Sequence, residues 1–277
     1  MEFVDTHCHL QFDKLAGNIE QVIKDANDVG VTRLICVGTT VSDSQKATEY
    51  ADKYKNIWAT VGVHPHEAKD FNFQGGTLEM GKMLSGSKKV VAVGEIGLDF
   101  YKNYSPKADQ EKLFRLQIET SLDSGLPYIF HIRDAQHQDK SGAGQAWAKF
   151  FEIIDSYQGV RGVVHSFSAS QTELDQSLSR GLYVALNGIM TFTTDKEQLA
   201  VAKKVPKDRL LLETDAPFLA PKLYRGQICE PKHIFDIAKF LAELRGEDIN
   251  ELASYTTRNA INLLGLQGRT SQTGKIL

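Results

Sequence analysis

The chain has 277 residues, enough for one α/β barrel of about 250 residues, and its 42% hydrophobic and 24% charged content is ordinary globular usage that allows a sizeable core. A net charge of -3 and a pI of about 6.3 exclude broad electrostatic gripping of duplex nucleic acid, while a local basic site stays open.

The chain opens MEFVDTHCHLQF, and EFVDTH (2–7) is the first predicted strand. Residues i and i+2 of a strand point to one face, so Asp5, His7 and His9 are expected together, with Val4, Thr6 and Cys8 opposite. Two readings fit the histidine pair: hydrogen-bonded side chains at a strand end, or imidazole metal ligands. Helical periodicity follows in NIEQVIKDANDVG, then strands in RLICVG (33–38), IWATVG (57–62) and VVAVGE (90–95). The helical stretch ADQEKLFRLQIETSLDSG ends on Gly125, and Pro127 prevents its continuation into the strand YIFHI (128–132). GVVHS (162–166), the helical QTELDQSLSRG ending on Gly181, LYVALN (182–187) and RLLLET (209–214) complete the series.

Roughly eight strand–helix units in this length predict a (β/α)8 TIM barrel in a single domain, residues 1–266, with a loosely ordered C-terminal tail at 267–277. An open doubly wound sheet is the alternative. It would normally place a G-x-G-x-x-G loop after the first strand, where this chain has HCHLQF. The three cysteines, Cys8, Cys36 and Cys229, form no CxxC and no disulfide framework, which points to a reducing compartment. The N-terminus lacks a signal peptide pattern, and no apolar run approaches a membrane span. A cytoplasmic protein with no membrane partner is expected. The oligomeric state is left open, with a monomer as a sufficient arrangement.

The polar residues fall on this rhythm in a consistent place. His7 and His9 close the first strand, and His64 follows the third in VGVHPH. Glu95 ends the fourth, His131 the fifth and His165 the sixth, and Asp215 follows the eighth in LLLETDAP. Each comes at the carboxyl end of an apolar strand, and in a barrel those ends meet at one mouth, where active sites are built. Any one of them alone reads as a structural cap; the recurrence does not. Imidazole with carboxylate and no thiolate suits Zn, Mn, Fe, Ni or Mg in an open site. Four histidines and two carboxylates exceed the needs of one tetrahedral ion and are enough for two ions sharing a carboxylate. Cys8 is adjacent in sequence, but its parity sends it outward to the helices.

The ordered series DTHCHL, VGVHPHE, VGEIGLDFY, Q-x-x-x-F-x-x-Q (110–117), LPYIFHIRDA, HSFS, LNGIMTF, LLLETDAPFLAP, RGQICEP and NAINLLGL resembles the TatD-related hydrolases, metal-dependent deoxyribonucleases within the amidohydrolase-like barrels. The match runs from residue 2 to about residue 266. The resemblance implies His7 and His9 as ligands of one metal and Glu95 as the carboxylate that contacts or bridges the two. It implies His131 and His165 as ligands of the second metal, and Asp215 beside the first metal and the nucleophilic water. His64 then lies at the mouth against substrate or solvent. The implied activity is cleavage of DNA, often from 3′ ends, with Mg or another divalent ion; two ions, Mg, Mn or Zn, are the expected cofactors and single-stranded DNA or strand ends the expected partner.

The chain departs from the family in three places. It has Ser166 and Ala169 in HSFSA where the family more often has His-Cys-Phe-Ser-Gly, Cys229 before Glu230-Pro231 where Asn is usual, and a longer polar stretch QHQDKSGAG (136–144). None removes a metal ligand; all bear on substrate preference. Arg133, two residues past His131, together with Arg225 and Lys222, is a candidate phosphate contact, because guanidinium forks match phosphate oxygens. Tyr101 and Phe100 are candidates for stacking on a base or sugar. The expected reaction is metal-assisted phosphodiester hydrolysis with Asp215 as general base and Asp5 orienting an imidazole. One rival is an amidohydrolase acting on a C–N or ester bond; such enzymes often carry a carboxylated lysine where this chain has Glu95. The other is a non-catalytic, metal-stabilised binding scaffold, against which the surplus of ligands at an open mouth argues.

Overall fold

A computed structural model describes residues 1–102, 104–134 and 145–266. The expected tail at 267–277 and the polar stretch 136–144 lie outside the described residues. Eight parallel strands form one sheet in chain order: β1 (Phe3–Cys8), β2 (Val31–Cys36), β3 (Ile57–Val61), β4 (Val90–Asp99), β5 (Tyr128–Arg133), β6 (Gly162–Val164), β7 (Tyr183–Leu186) and β8 (Leu210–Leu212). Helices connect them, so the expected TIM barrel is the fold. No helix among the described residues is long and apolar enough to cross a membrane.

Alternation sorts the side chains into two apolar layers. Val4, Ile35, Val91, Ile129, Ala185 and Leu211 fill the barrel interior, and Leu263 and Leu264 of the last helix close its lower end. The opposite faces of the strands pack against the helices through residues such as Leu34, Phe114, Phe130 and Phe150. The predicted helix ends hold: Gly125 and Gly181 adopt left-handed φ of 62° and 74°.

The seam between β8 and β1 is not a regular ladder. One bridge pairs Cys8 with Ala216, and the backbone adds Asp215 N–H to His7 O (2.8 Å) and His9 N–H to Ala216 O (2.7 Å). Side chains complete it: Thr6 hydroxyl donates to Leu212 O, and the Asp5 carboxylate accepts from the Thr214 N–H and hydroxyl. The histidine pair of the first strand is thereby tied directly to Asp215.

Two expectations are corrected here. Asp5 pairs with Leu34 but Cys8 with Cys36, so three steps on β1 match two on β2. This irregularity breaks the simple alternation. Asp5 faces the seam, accepts from the His7 and Thr214 backbones, and orients chain rather than an imidazole. Likewise β4 does not stop at Glu95 but runs on to Asp99. Val93 pairs with Tyr128 and Ile96 with Phe130, so a second irregularity sits at Glu95 itself. Glycines make room for it. A Cβ on Gly94 would stand 2.7 Å from Ile129 Cβ, and one on Gly97 (φ 144°) would collide with the His131 carbonyl.

Candidate active site

At the carboxyl ends of the strands the mouth holds a cavity of about 610 Å³. His9, His64, Glu95, His131, His165 and Asp215 line it, and His7 is buried beneath it. Glu95 stands in the middle. Its Oε2 lies 3.5 Å from His7 Nε2, and its Oε1 lies 2.9 Å from His131 Nδ1, 2.7 Å from His165 Nε2 and 3.7 Å from His64 Nε2. On the β1 side, Asp215 Oδ1 is 3.3 Å from His9 Nε2 and 3.7 Å from His7 Nε2. Asp215 occupies that place with a left-handed φ of 61°, unusual without a glycine and typical of residues held at a functional position.

The imidazoles are aimed from behind. His9 Nδ1 lies 2.9 Å from Val37 O, which can only accept, so the proton sits on Nδ1 and the Nε2 lone pair faces inward. His131 has Asp99 Oδ2 3.1 Å from its outer Nε2, which leaves Nδ1 facing Glu95. His165 has Glu213 Oε1 3.4 Å from its outer Nδ1, which leaves Nε2 facing Glu95. His7 Nδ1 and His165 Nδ1 are both buried without a hydrogen bond, so Glu213 stands near the His165 ring without bonding it. Inward lone pairs therefore face carboxylate oxygens, an arrangement that repels unless a cation or proton lies between.

The spacing suits a metal cation. The inner nitrogens of His7 and His9 are 3.3 Å apart, and those of His131 and His165 are 3.1 Å apart. Two ligands each about 2.1 Å from one ion lie about 3.0–3.4 Å apart at octahedral or tetrahedral angles. His7, His9 and Glu95 form one tight group of potential ligands, and His64, Glu95 and His131 another.

The charges agree. Burial alone pushes Glu95 up, but the imidazoles of His165, His64 and His7 outweigh it and hold the carboxyl well below the usual range. Burial likewise opposes ionisation of Asp215, and its hydrogen bond to His9 prevails and lowers it. Burial drives His64 well below an ordinary histidine; His165 is held well above one, because Glu95 and Glu213 overcome its burial. Thiols take no part. Cys8 donates to Ile35 O in the helix-facing layer, burial pushes it well up, and burial pushes Cys36 to about 12.

The phosphate and stacking candidates separate. Arg133 lines the cavity, its guanidinium 4.1 Å from the centre of the Tyr101 ring. Arg225 and Lys222 both stand outside that lining; the Arg225 guanidinium is stacked 4.0 Å over Phe192, and the Lys222 backbone N–H donates to the Thr191 hydroxyl. Phe100 is buried.

Several residues of the mouth escaped the sequence reading. Asp99 joins His131 to His66, at 3.1 and 2.9 Å. Glu213 also accepts from Ser166 N–H, and Lys102 lines the cavity. Strand parity could have found two of them: Asp99 is four residues past Glu95, and Glu213 two before Asp215. His66 is likewise two past His64 in VGVHPH. Nothing in the local pattern marks Lys102.

Comparison with known proteins places this geometry. The family model described as TatD related DNase matches residues 4–265. An uncharacterized metal-dependent hydrolase, YabD of Bacillus subtilis, is 36% identical over 259 residues, covering 94% of this chain and 97% of that protein. The 3′-5′ ssDNA/RNA exonuclease TatD of Escherichia coli is 32% identical over 267 residues, covering 95% and 98%. The crystal structure of a second Escherichia coli TatD homologue, YJJV, superposes with a TM-score of 0.86 at 27% identity, covering 95% and 98%.

Proposed function

Since the chain belongs to the TatD-related DNase family, we propose that it is a divalent-metal-dependent phosphodiesterase that removes nucleotides from DNA at single-stranded or 3′ ends. The observation that carries this reading is the inward-facing donor set, with its ionised carboxylates and its imidazole pairs 3.1 and 3.3 Å apart. We assign one ion to His7, His9, Asp215 and Glu95, and a second to His131, His165 and Glu95. Every ligand is nitrogen or oxygen, a set that would suit Mg, Mn or Zn among the divalent ions.

When bound, such ions lower the pKa of water and neutralise charge on phosphate oxygens. The chain's own residues do the rest. Asp215, ionised and exposed to the cavity, takes the proton of the attacking water as general base. Glu95 holds the two sides of the site at a fixed separation through its two oxygens. His64 and Arg133 line the approach and position the phosphate, and Tyr101 supports Arg133 by cation–π stacking. Val37 O and Asp99 keep the rings of His9 and His131 from rotating. Amide or ester hydrolysis on the same barrel is disfavoured, because Glu95 occupies the place of the carboxylated lysine.

Competition between linear single-stranded DNA and closed single-stranded circles tests the preference for ends. The linear substrate is expected to be degraded and the circle to persist, because few basic residues line the mouth to grip an internal segment; equal rates contradict the proposal. The departure at Cys229 is expected to matter little. Its thiol is buried, 4.0 Å from Thr214 O, and faces no candidate ligand pair. Cys229→Ser should retain full metal content with rates within about threefold, of the order of one weak hydrogen bond. Loss of a metal equivalent in that variant would show a misplaced ligand.

A further inference from the structure

Phe218, three residues past Asp215, is an aromatic ring left 45% exposed at the edge of the mouth. Its place is held: the Phe218 N–H donates to Asp215 O at 2.8 Å, and the following Leu219 takes a left-handed φ of 55°. The ring stands edge-on to His9, centroids 6.2 Å apart at 65°, and edge-on to Phe12 at 6.0 Å and 77°. Phe12 in turn stacks flat on His9 at 4.7 Å.

Phe12 and Phe218 form the wall between two cavities. One is the 610 Å³ mouth; the other, of about 360 Å³, lies on the far side and is lined by Lys14 and Lys46. Neither lysine has a carboxylate within ion-pair distance among the described residues, whereas Lys14 lies 5.9 Å from the Phe218 ring centre. Two carboxylates share that lining. Asp43 is held by the Thr39 hydroxyl at 2.7 Å, and Asp13 belongs to the first turn of its own helix.

We infer that Phe218, backed by Phe12, is the stacking platform for a base flanking the scissile phosphate, and that the cavity beyond it carries the neighbouring phosphate past Lys14 and Lys46. This rests on the reading of the site as a strand-end phosphodiesterase and specifies how it selects single strands. A base can lie on the Phe218 ring only after leaving its own stack, which a duplex end resists and a single strand permits. Unpaired ammonium groups beyond the ring supply the charge that an outgoing backbone needs. The ring next to Asp215 thus performs the role that Tyr101, engaged by Arg133, is less free to take.

The test crosses a protein change with a substrate change. Short single-stranded oligonucleotides carry either all bases or one abasic residue at the terminal or penultimate position, and kcat/KM is measured for wild type, Phe218→Ala and Phe218→Trp. Phe218→Ala is expected to lose about tenfold on the intact strand, the size of one base–aromatic stack. Wild type should lose the same factor when the abasic residue occupies one of the two positions, and Phe218→Ala should lose nothing more there. Phe218→Trp should keep the sensitivity to the base. If Phe218→Ala is unimpaired, or is impaired equally on intact and abasic strands, the ring only supports its loop and the inference is overturned. Failure of wild type itself to hydrolyse any strand is a different result: it overturns the phosphodiesterase reading, and this inference with it.

Discussion

Protein stripped of metal by excess chelator is expected to lose phosphodiester hydrolysis by about three orders of magnitude or more, and to regain it when a divalent ion is returned. His9 is fixed by Val37 O so that its free nitrogen faces Asp215, and His131 by Asp99 so that its free nitrogen faces Glu95. Both carboxylates are held in the ionised form. The thiols offer no alternative nucleophile, because burial pushes them well up. Folding should survive the treatment, because the barrel and helix-facing layers are apolar and complete without the mouth. Circular dichroism therefore separates loss of chemistry from loss of structure. Unchanged hydrolysis in protein whose metal content has fallen to near zero would refute the site as assigned.

What was legible in the sequence follows from which physics is local. All eight strands were readable as short runs of Val, Ile and Leu, because strands buried on both faces need continuous apolar sequence. The residues His7, His9, Glu95, His131, His165 and Asp215 were readable because each interrupts or closes such a run. Their outer partners were harder to read. Asp99 lies in GLDFY, outside the apolar run that marked the fourth strand, and Glu213 was absorbed into the end of RLLLET. The side that Asp5 faces was illegible for a different reason. A register irregularity depends on how β1 meets β2, and no pattern within DTHCH announces it. Arg225 illustrates the same limit. Its proximity in sequence to Asp215 does not carry it to the cavity, because the intervening 3-10 turn at Lys222–Tyr224 places its guanidinium over Phe192.

Glu95→Ala is expected to lower bound metal from about two equivalents to about one and turnover by orders of magnitude, with the barrel intact. β4 lies between β1–β3 and β5–β8 in the sheet, so a residue rising from it reaches both groups of histidines. The geometry uses that position: Oε2 faces His7 at 3.5 Å, while Oε1 faces His131 and His165 at 2.9 and 2.7 Å. An imidazole there could not substitute, because engaging both its nitrogens would forfeit the hydrogen bond that orients it. After truncation His9 and His7 still have Asp215, so one equivalent should remain on that side. His131 and His165 would keep only Asp99 and Glu213, which stand at their outer nitrogens and cannot close the inner side. The alternative role for a buried carboxylate, accepting backbone N–H bonds, is not the one Glu95 plays: its close partners are the imidazoles. Metal analysis beside activity decides the point, and Glu95→Gln serves as a variant of nearly equal volume that removes the charge. A folded Glu95→Ala protein with two equivalents of metal and full turnover would remove β4 from the site altogether.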